Sequence, residues 1–213
     1  SEAMSVLTDP ALTGAVTLAL PQDVQTEAYD YPDDMFSEKV WVIPRMSPNE
    51  KSLHETSELI KNSKTPLIIA GGGIIYSDAE AALIDFSNKT GIPVAETQAG
   101  KGSIPWDHPQ CLGAIGVTGT SSANILAKKS DLVICIGTRL SDFTTASKTL
   151  FQNKDVKFIG INVSPDDASK HSATTLVGDA KVCLVKLTEL LQLGDFKVNE
   201  KYIQEIFALN GDW

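Results

Sequence analysis

Short, fully apolar segments alternate with helix-like segments from residue 66 onward, and this alternation is the feature that most constrains the fold. The runs at 66–70, 92–97, 131–137, 157–163 and 174–178 have the length and composition of buried strands. Strands that are apolar on both faces are typical of a parallel sheet covered by helices on both sides. The pattern predicts an α/β fold: a doubly wound, mostly parallel, Rossmann-like sheet of about six strands with helices on both faces.

The flanking regions differ from this core. The stretch 14–24 predicts one more strand, and the residues after it show no steady period. We assign 1–45 to a tail from a preceding domain with a linker, 46–194 to a central Rossmann-like domain, and 195–213 to the start of a linker or helix toward a next domain. The lack of an initiator methionine supports the expectation that the chain is a piece of a longer protein.

Capping residues predict where helices begin. Ser47, followed by Pro48 and by Glu50, has the pattern of a capping box. The glycine-rich stretch 98–119 is predicted to be a loop. Further helix caps are predicted at Thr120 or Ser121, at Asp179 and at Asn199.

Charge and cysteine content exclude several classes of protein. The chain of 213 residues has a net charge of −9 and an isoelectric point of about 4.8. An acidic surface repels nucleic acid and anionic membranes, so neither is expected as a partner. Cys111, Cys135 and Cys183 are widely separated, which argues against a disulfide framework and a paired-cysteine zinc site. This cysteine usage predicts a reducing, cytoplasmic location.

The three glycines at 71–73 follow an apolar strand and precede a predicted helix. A dinucleotide-binding fingerprint requires G-x-G-x-x-G, but Tyr76 stands where the third glycine belongs. Glu96 could be the acid expected at the end of the second strand. The broken motif opposes an NAD enzyme. It leaves two interpretations, a tight strand-to-helix turn or a backbone site for an anion.

Two other glycine-rich segments are candidates for ligand contact. Gly113, Gly116 and Gly119 precede a helix, where they could hold a phosphate or allow two backbone segments to pass closely. Arg139 follows the carboxyl end of a strand, which is where ligands bind in open α/β sheets. Its planar guanidinium suits a phosphate, and the alternative is a structural ion pair with a carboxylate such as Asp142.

No residue of the chain is predicted to be catalytic or to bind a metal. His54, His108 and His171 have no cysteine or second histidine nearby at ligand spacing. The sequence also lacks the G-x-S-x-G motif of serine hydrolases and the spacing of a P-loop. The glycine turns and Arg139 therefore remain as the candidates for ligand contact.

Residues 100–143 contain an ordered set of motifs: GKG, a D-H-P, an L-G, a G-x-x-G and D-L-V-x-x-x-G-x-R. This order resembles the central domain of thiamine-diphosphate-dependent enzymes such as acetolactate synthase and pyruvate oxidase. Residues 158–171 resemble the family's next strand and turn, and 14–25 resemble the end of its amino-terminal domain. Within the family, 6–32 and 96–124 resemble the branch that hydrolyses a ring carbon–carbon bond in inositol catabolism.

The resemblance implies that the chemistry belongs to the cofactor, thiamine diphosphate, whose thiazolium carbanion attacks a carbonyl. It implies a cofactor-activating glutamate in the amino-terminal domain and a G-D-G…N segment that holds magnesium and the diphosphate in the carboxyl-terminal domain. The Gly-Asp pairs at 178, 194 and 211 continue differently, so neither feature is placed here. We expect a non-catalytic scaffold that holds neither thiamine diphosphate nor magnesium. Its expected partners are the other two domains and further copies in a homo-oligomer.

Some relatives bind FAD or ADP through this domain, and the resemblance then implies a second hypothesis, a nucleotide-binding module of an acetolactate-synthase-like enzyme. The sequence departs from these relatives at Asn162, where they often have an acid. We therefore interpret the glycine turn as a packing feature at a nucleotide site that is vestigial or occupied only by a regulator. The residues that the resemblance assigns to the nucleotide are Gly72, Gly73, Thr118, Gly137 and Arg139.

Overall fold

The computed structural model describes residues 1–211 and divides the chain into two compact units. The first unit is Ser1–Arg45, which contains the helix α1 (Glu2–Thr8) and two short 3₁₀ turns at Val24–Thr26 and Asp33–Phe36. No residue of this unit is buried. The second unit begins at Met46 and contains the sheet and the other helices.

The strand predicted at 14–24 is wrong. Residues 13–20 have no regular structure, and Leu18 and Leu20 are 75% and 73% exposed. A strand needs a neighbouring strand to pair its backbone N–H and C=O groups. The structure describes all of residues 1–45 and shows no strand among them, so apolar composition alone did not produce one here.

The second unit confirms the predicted fold class. Its strand bounds are Pro66–Ala70 (β1), Val94–Glu96 (β2), Cys111–Ala114 (β3), Leu132–Ile136 (β4), Lys157–Asn162 (β5) and Thr174–Val177 (β6). All of these strands pair in parallel, in the order β3-β2-β1-β4-β5-β6. Every residue of β1 and β4 is buried, because these two strands lie at the centre of the sheet.

Helices cover both faces of this sheet. The helix bounds are Glu50–Lys61 (α2), Gly72–Tyr76 (α3), Glu80–Thr90 (α4), Ser121–Lys129 (α5), Asp142–Thr145 (α6), Pro165–Ala168 (α7), Ala180–Gln192 (α8) and Glu200–Gly211 (α9). Along the strand order, the connection from β1 to β2 runs in one direction and the connection from β3 to β4 runs in the other. Because both crossovers are right-handed, α4 and α5 lie on opposite faces of the sheet. In the sheet unit, α4 packs on α8 and α5 packs on α9. Within residues 1–211, no helix is long and apolar enough to span a membrane.

Most of the predicted caps are present. Thr120, Asp179 and Asn199 each accept a backbone N–H in the first turn of α5, α8 and α9, at 3.1, 3.2 and 2.9 Å. The capping box predicted at Ser47 is wrong. Asn49 caps α2 instead, because its side-chain oxygen lies within 3.3 Å of two first-turn N–H groups.

The stretch 98–119 was predicted to be a loop, but it contains the edge strand β3. The pattern missed this strand because it is short and only its first two residues are buried. Its outward carbonyls are bound within the domain. The Asn210 amide donates to the carbonyl of Cys111 (3.0 Å), and the Thr120 hydroxyl donates to that of Leu112 (2.6 Å). These two bonds occupy acceptors of the edge strand that could otherwise pair with another strand.

The helix α9 follows the domain boundary predicted at residue 194. Three of its apolar side chains are buried, and the hydroxyl of one of them, Tyr202, donates to the carbonyl of Pro66 at 3.0 Å. The described residues after 194 therefore belong to the second compact unit. Their role as a lead into a further domain stays a prediction.

Candidate functional site

The strand order places the candidate site between two turns. The order changes direction between β1 and β4, which are neighbours in the sheet but separated along the chain. In doubly wound sheets, ligands bind at the carboxyl ends of the strands at such a switch point. The turn after β1 is 71–73 and the turn after β4 is 137–139, so the structure brings together the two glycine segments singled out by the sequence.

These two turns are in direct backbone contact. The Gly71 N–H donates to the carbonyl of Ile136 (2.8 Å), and the Gly73 N–H donates to the carbonyl of Gly137 (3.0 Å). A Cβ atom placed on Gly73 would lie 2.5 Å from the Cα of Gly137, which is closer than carbon atoms approach in proteins. Gly137 itself has φ +60, in the left-handed region that glycine adopts readily. The crevice is therefore filled by backbone at this level.

Gly72 is also enclosed. It is buried, and a Cβ placed on it would lie 3.2 Å from the carbonyl oxygen of Ala99 and 3.4 Å from the ring of Tyr76. An N-terminal helix turn can hold a phosphate only when its N–H groups face open space. The enclosure of Gly72 and the hydrogen bond of Gly73 leave little of this turn for an anion.

The segment with Gly113, Gly116 and Gly119 also contacts protein groups. The Asn124 side chain accepts from the Gly116 N–H (3.1 Å) and donates to the Gly116 carbonyl (3.0 Å). Thr118, between these glycines, is exposed. Of this segment, Val117 and Thr118 are exposed, and only Thr118 has a polar side chain that could contact a phosphate.

Arg139 is the exposed cation at the switch point. Among the residues that the structure describes, no ion pair joins its guanidinium to Asp142 or to another acid. Thr138 and the buried Leu140 flank it, and Leu140 has φ +46, which costs a non-glycine residue about 1–2 kcal/mol. The turn therefore holds Arg139 outward, at the cost of backbone strain.

The acid at the end of β2 has a structural role. Glu96 is only 1% exposed, and its carboxylate accepts from the N–H groups of Gly102 (2.8 Å) and Ile104 (3.4 Å). Lys101 completes its partners at 3.3 Å. A carboxylate engaged in this way stabilises the loop after β2, and its burial keeps it from the ribose of a dinucleotide.

Asn162 occupies the corresponding position at the end of β5. Its amide nitrogen donates to the carbonyl of Thr138 (3.4 Å), and its amide oxygen accepts from the N–H of Ser164 (3.1 Å). The side chain therefore links the β4 and β5 turns. An acid here could not make the first of these bonds, because a carboxylate has no donor.

The described residues do not fit thiamine diphosphate with its metal. No group of three or more His, Cys, Asp or Glu side chains in residues 1–211 could hold a metal ion. Asp179, in the first Gly-Asp pair, caps α8, and Asp195, in the second, has the left-handed φ of +50 just after that helix. The aspartate of the third pair lies outside the described residues. No step of cofactor chemistry is therefore derived from this chain.

The cysteines are not candidate nucleophiles. All three are buried, and burial raises the pKa of the Cys135 thiol far above its ordinary value. Burial also raises the pKa of Cys183 to about 12, with a smaller contribution from Asp179. A reactive cysteine needs a lowered pKa and access to solvent, and these residues lack both.

Comparison with known proteins identifies the class to which this fold belongs. The family described as "Thiamine pyrophosphate enzyme, central domain" matches residues 53–187. The chain therefore belongs to this family, as the motifs at 100–143 predicted. A solved structure of a thiamin diphosphate-dependent enzyme from Mycobacterium smegmatis has the same fold, with a TM-score of 0.58 and 24% identity over 71% of this chain and 29% of that one.

More similar relatives share one name, 3D-(3,5/4)-trihydroxycyclohexane-1,2-dione hydrolase. The protein from Clostridium perfringens is 49% identical over 99% of this chain, and the protein from Bacillus thuringiensis is 49% identical over 100% of it. The protein from Clostridium botulinum is 54% identical over 89% of this chain. The chain spans 33%, 33% and 30% of these three proteins, so it corresponds to about a third of their length.

Proposed function

We propose that this chain is the central domain of a thiamine-diphosphate-dependent hydrolase in myo-inositol catabolism. The longer protein would cleave a ring carbon–carbon bond of 3D-(3,5/4)-trihydroxycyclohexane-1,2-dione and form 5-deoxy-glucuronate. The name shared by relatives about 50% identical to nearly the whole chain supports this activity. The cofactor and magnesium would be held by parts of the longer protein outside this chain.

Within that protein, the role of this domain is scaffolding. The observation that carries this proposal is the backbone hydrogen bond between the Gly73 N–H and the Gly137 carbonyl, which closes the switch point. The domain's own backbone fills this crevice. We therefore expect the domain to hold neighbouring domains in position rather than to bind a ligand there. We propose further that it contacts two other domains, that the protein forms a homo-oligomer, and that it is cytoplasmic.

A second candidate function is binding of FAD or ADP. The observation that favours it is the outward, strained presentation of Arg139 beside Gly137. In this hypothesis Gly72, Gly73, Thr118, Gly137 and Arg139 would contact the nucleotide. Only Thr118 and Arg139 of these five are exposed, so a nucleotide would have to separate the two glycine turns before it could bind.

Calorimetric titration of the 213-residue chain with FAD, ADP and thiamine diphosphate separates the two hypotheses. We expect no binding heat with any of the three. Binding of FAD or ADP that is lost in Arg139→Ala but kept in Lys181→Ala would overturn the scaffold proposal. Lys181 is a matched control because it is an exposed cation on α8 and is not among the five residues assigned to the nucleotide.

The parent activity has its own test. The longer polypeptide should hydrolyse trihydroxycyclohexane-1,2-dione only when thiamine diphosphate and magnesium are supplied, and the 213-residue chain should be inactive under the same conditions. Turnover by the 213-residue chain alone would contradict the proposed division of roles.

A further inference from the structure

The first unit exposes a cluster of aromatic and acidic side chains at residues 27–38, which we call the acidic aromatic segment. It contains five acidic residues and no basic one. Four large apolar side chains, all between 55% and 73% exposed, project from it: Tyr29, Tyr31, Met35 and Phe36. Exposed aromatic groups in a cluster are typical of an interaction surface, since single ones are common but groups are not.

The segment has local order that holds these groups together. Tyr29 and Tyr31 pack edge to face with ring centres 5.2 Å apart, and Tyr31 and Phe36 do so at 6.2 Å. Pro32 begins the 3₁₀ turn Asp33–Phe36, whose first hydrogen bond joins the Met35 N–H to the Pro32 carbonyl (3.0 Å). Edge-to-face pairs of this kind stabilise a preformed arrangement, which lowers the entropy cost of binding.

The acids of the segment have no cation to neutralise them. None forms an ion pair with another residue in the part of the chain that the structure describes. The first unit as a whole has eight acidic and two basic residues, which accounts for six of the nine net negative charges of the chain. A complementary surface would therefore be apolar at its centre and basic at its rim.

The length of the related proteins indicates where such a surface lies. The relatives are about three times as long as this chain, so most of the protein surface available to the segment lies outside it. The segment cannot form a core alone, because none of residues 1–45 is buried. The fourteen exposed large apolar side chains of the first unit need a covering surface, and the longer polypeptide carries one such surface for each copy of the segment.

We propose that the acidic aromatic segment docks on an apolar, basic-rimmed surface in the part of the longer polypeptide outside this chain. This inference rests on the proposed function only in that the chain is one domain of a longer protein. The aromatic rings of Tyr29, Tyr31 and Phe36 fill the apolar centre. The flanking carboxylates, of which Asp30, Asp33 and Asp34 are closest to the rings in sequence, face the basic rim.

Limited proteolysis with chymotrypsin tests this docking, because the enzyme cleaves after the exposed rings of Tyr29 and Phe36, whereas Pro32 blocks cleavage after Tyr31. Cleavage after Tyr29 and Phe36 should be rapid in the 213-residue chain and at least about tenfold slower in the longer polypeptide, where the segment is covered. Equal cleavage rates in the two proteins would overturn the proposal. Protection already present in the 213-residue chain, together with a dimer in light scattering, would assign the surface to a second copy and also overturn it.

Charge reversal tests the chemistry of the partner. Asp30→Lys, Asp33→Lys and Asp34→Lys combined in the longer polypeptide should restore most of the cleavage, and added salt should accelerate cleavage of the unaltered protein. The control reverses three exposed acids of the second unit, namely Asp107, Asp155 and Glu189, which changes the net charge equally.

Protection that survives both the reversal at the segment and high salt would refute a basic rim. Loss of protection in the control variant would show that the change in net charge, and not the acids of the segment, weakens docking, and this too would refute the proposed basic rim. These outcomes are independent of the proposed activity, because protection is measured without substrate. A longer polypeptide that protects the segment but does not hydrolyse the dione would leave this inference standing and refute the proposed function.

Discussion

Gly73→Ala should destabilise the second unit by about 1–5 kcal/mol, which follows from the contact between the two glycine turns. The added Cβ would lie 2.5 Å from the Cα of Gly137, and an ordinary carbon contact is about 3.5–4.0 Å. The turns must therefore separate by about 1 Å. This separation breaks the hydrogen bond between the Gly73 N–H and the Gly137 carbonyl, which is 3.0 Å long in the native protein.

The magnitude combines three contributions. Overpacking a close contact costs about 1–3 kcal/mol. Leaving the Gly73 N–H and the Gly137 carbonyl without partners costs about 1–3 kcal/mol. Alanine is favoured over glycine in a helix by about 1 kcal/mol, and residue 73 lies in α3, so this amount is subtracted. The remaining loss is about 1–5 kcal/mol, which lowers the Tm of a unit this size by about 2–20 °C.

Urea unfolding followed by far-UV circular dichroism measures this loss. Gly194→Ala is the matched control, because the nearest atom to its added Cβ would be Lys61 Cε at 3.6 Å, an ordinary contact. We expect the control to change the free energy of unfolding by less than about 0.5 kcal/mol. If Gly73→Ala proves as stable as Gly194→Ala, the turns have room between them. The crevice would then be open to a phosphate, and the packing interpretation would be refuted.

Three further substitutions test other contacts of the second unit. Burial raises the pKa of Asp131, but hydrogen bonds from residues 63–65 outweigh burial and lower this pKa overall. Asp131→Asn should therefore lower the free energy of unfolding, measured in urea at neutral pH, by about 2–3 kcal/mol. That stabilisation should be present above the unfolded pKa of about 3.9 and lost as the pH falls through the folded value. Burial lowers the pKa of His108, so His108 takes up a proton at a higher pH in the unfolded chain than in the folded one. Stability should therefore fall as the pH drops below about 6.5, and His108→Gln should flatten this dependence of stability on pH. Tyr202→Phe removes the donor to the buried carbonyl of Pro66 and should cost about 1–3 kcal/mol, measured by thermal unfolding.

Asp131→Asn and Tyr202→Phe each have a control with the same chemistry at an exposed position. Asp155→Asn and Tyr29→Phe should each change stability by less than about 0.5 kcal/mol. An Asp131→Asn variant as stable as Asp155→Asn would show that the three hydrogen bonds contribute nothing net. A pH slope unchanged in His108→Gln would assign the proton uptake to another group. For Tyr202→Phe, the refuting result is a Tm equal to that of Tyr29→Phe.

The fold class could be predicted from the sequence because it depends on periodicity, which is local. The apolar runs at 66–70 and 131–137 contain strands that are buried throughout, and such runs are typical of the centre of a parallel sheet. The edge strand β3 was missed for the same reason, since its burial pattern lacks a long apolar run. The false strand at 14–24 shows the opposite error, in which a local apolar pattern has no pairing partner.

The contacts of the site could be predicted only in part, because they join residues far apart in the chain. Spacing placed Gly73 and Gly137 at strand ends, but it could not show that their backbones touch. Spacing also put Glu96 at the correct strand end for a ribose ligand. Its side chain turns instead toward the N–H groups of the loop that follows β2, a direction that depends on how that loop folds.

The switch point itself follows from the topology, so a doubly wound domain that binds nothing there must fill the crevice with its own groups. This domain does so with backbone: glycines on both sides let the β1 and β4 turns approach closely enough to hydrogen bond. The Asn162 amide adds a bond to the β4 turn that a carboxylate could not donate. Asn162 and the paired glycine turns therefore have one physical explanation, which is mutual packing of the strand ends.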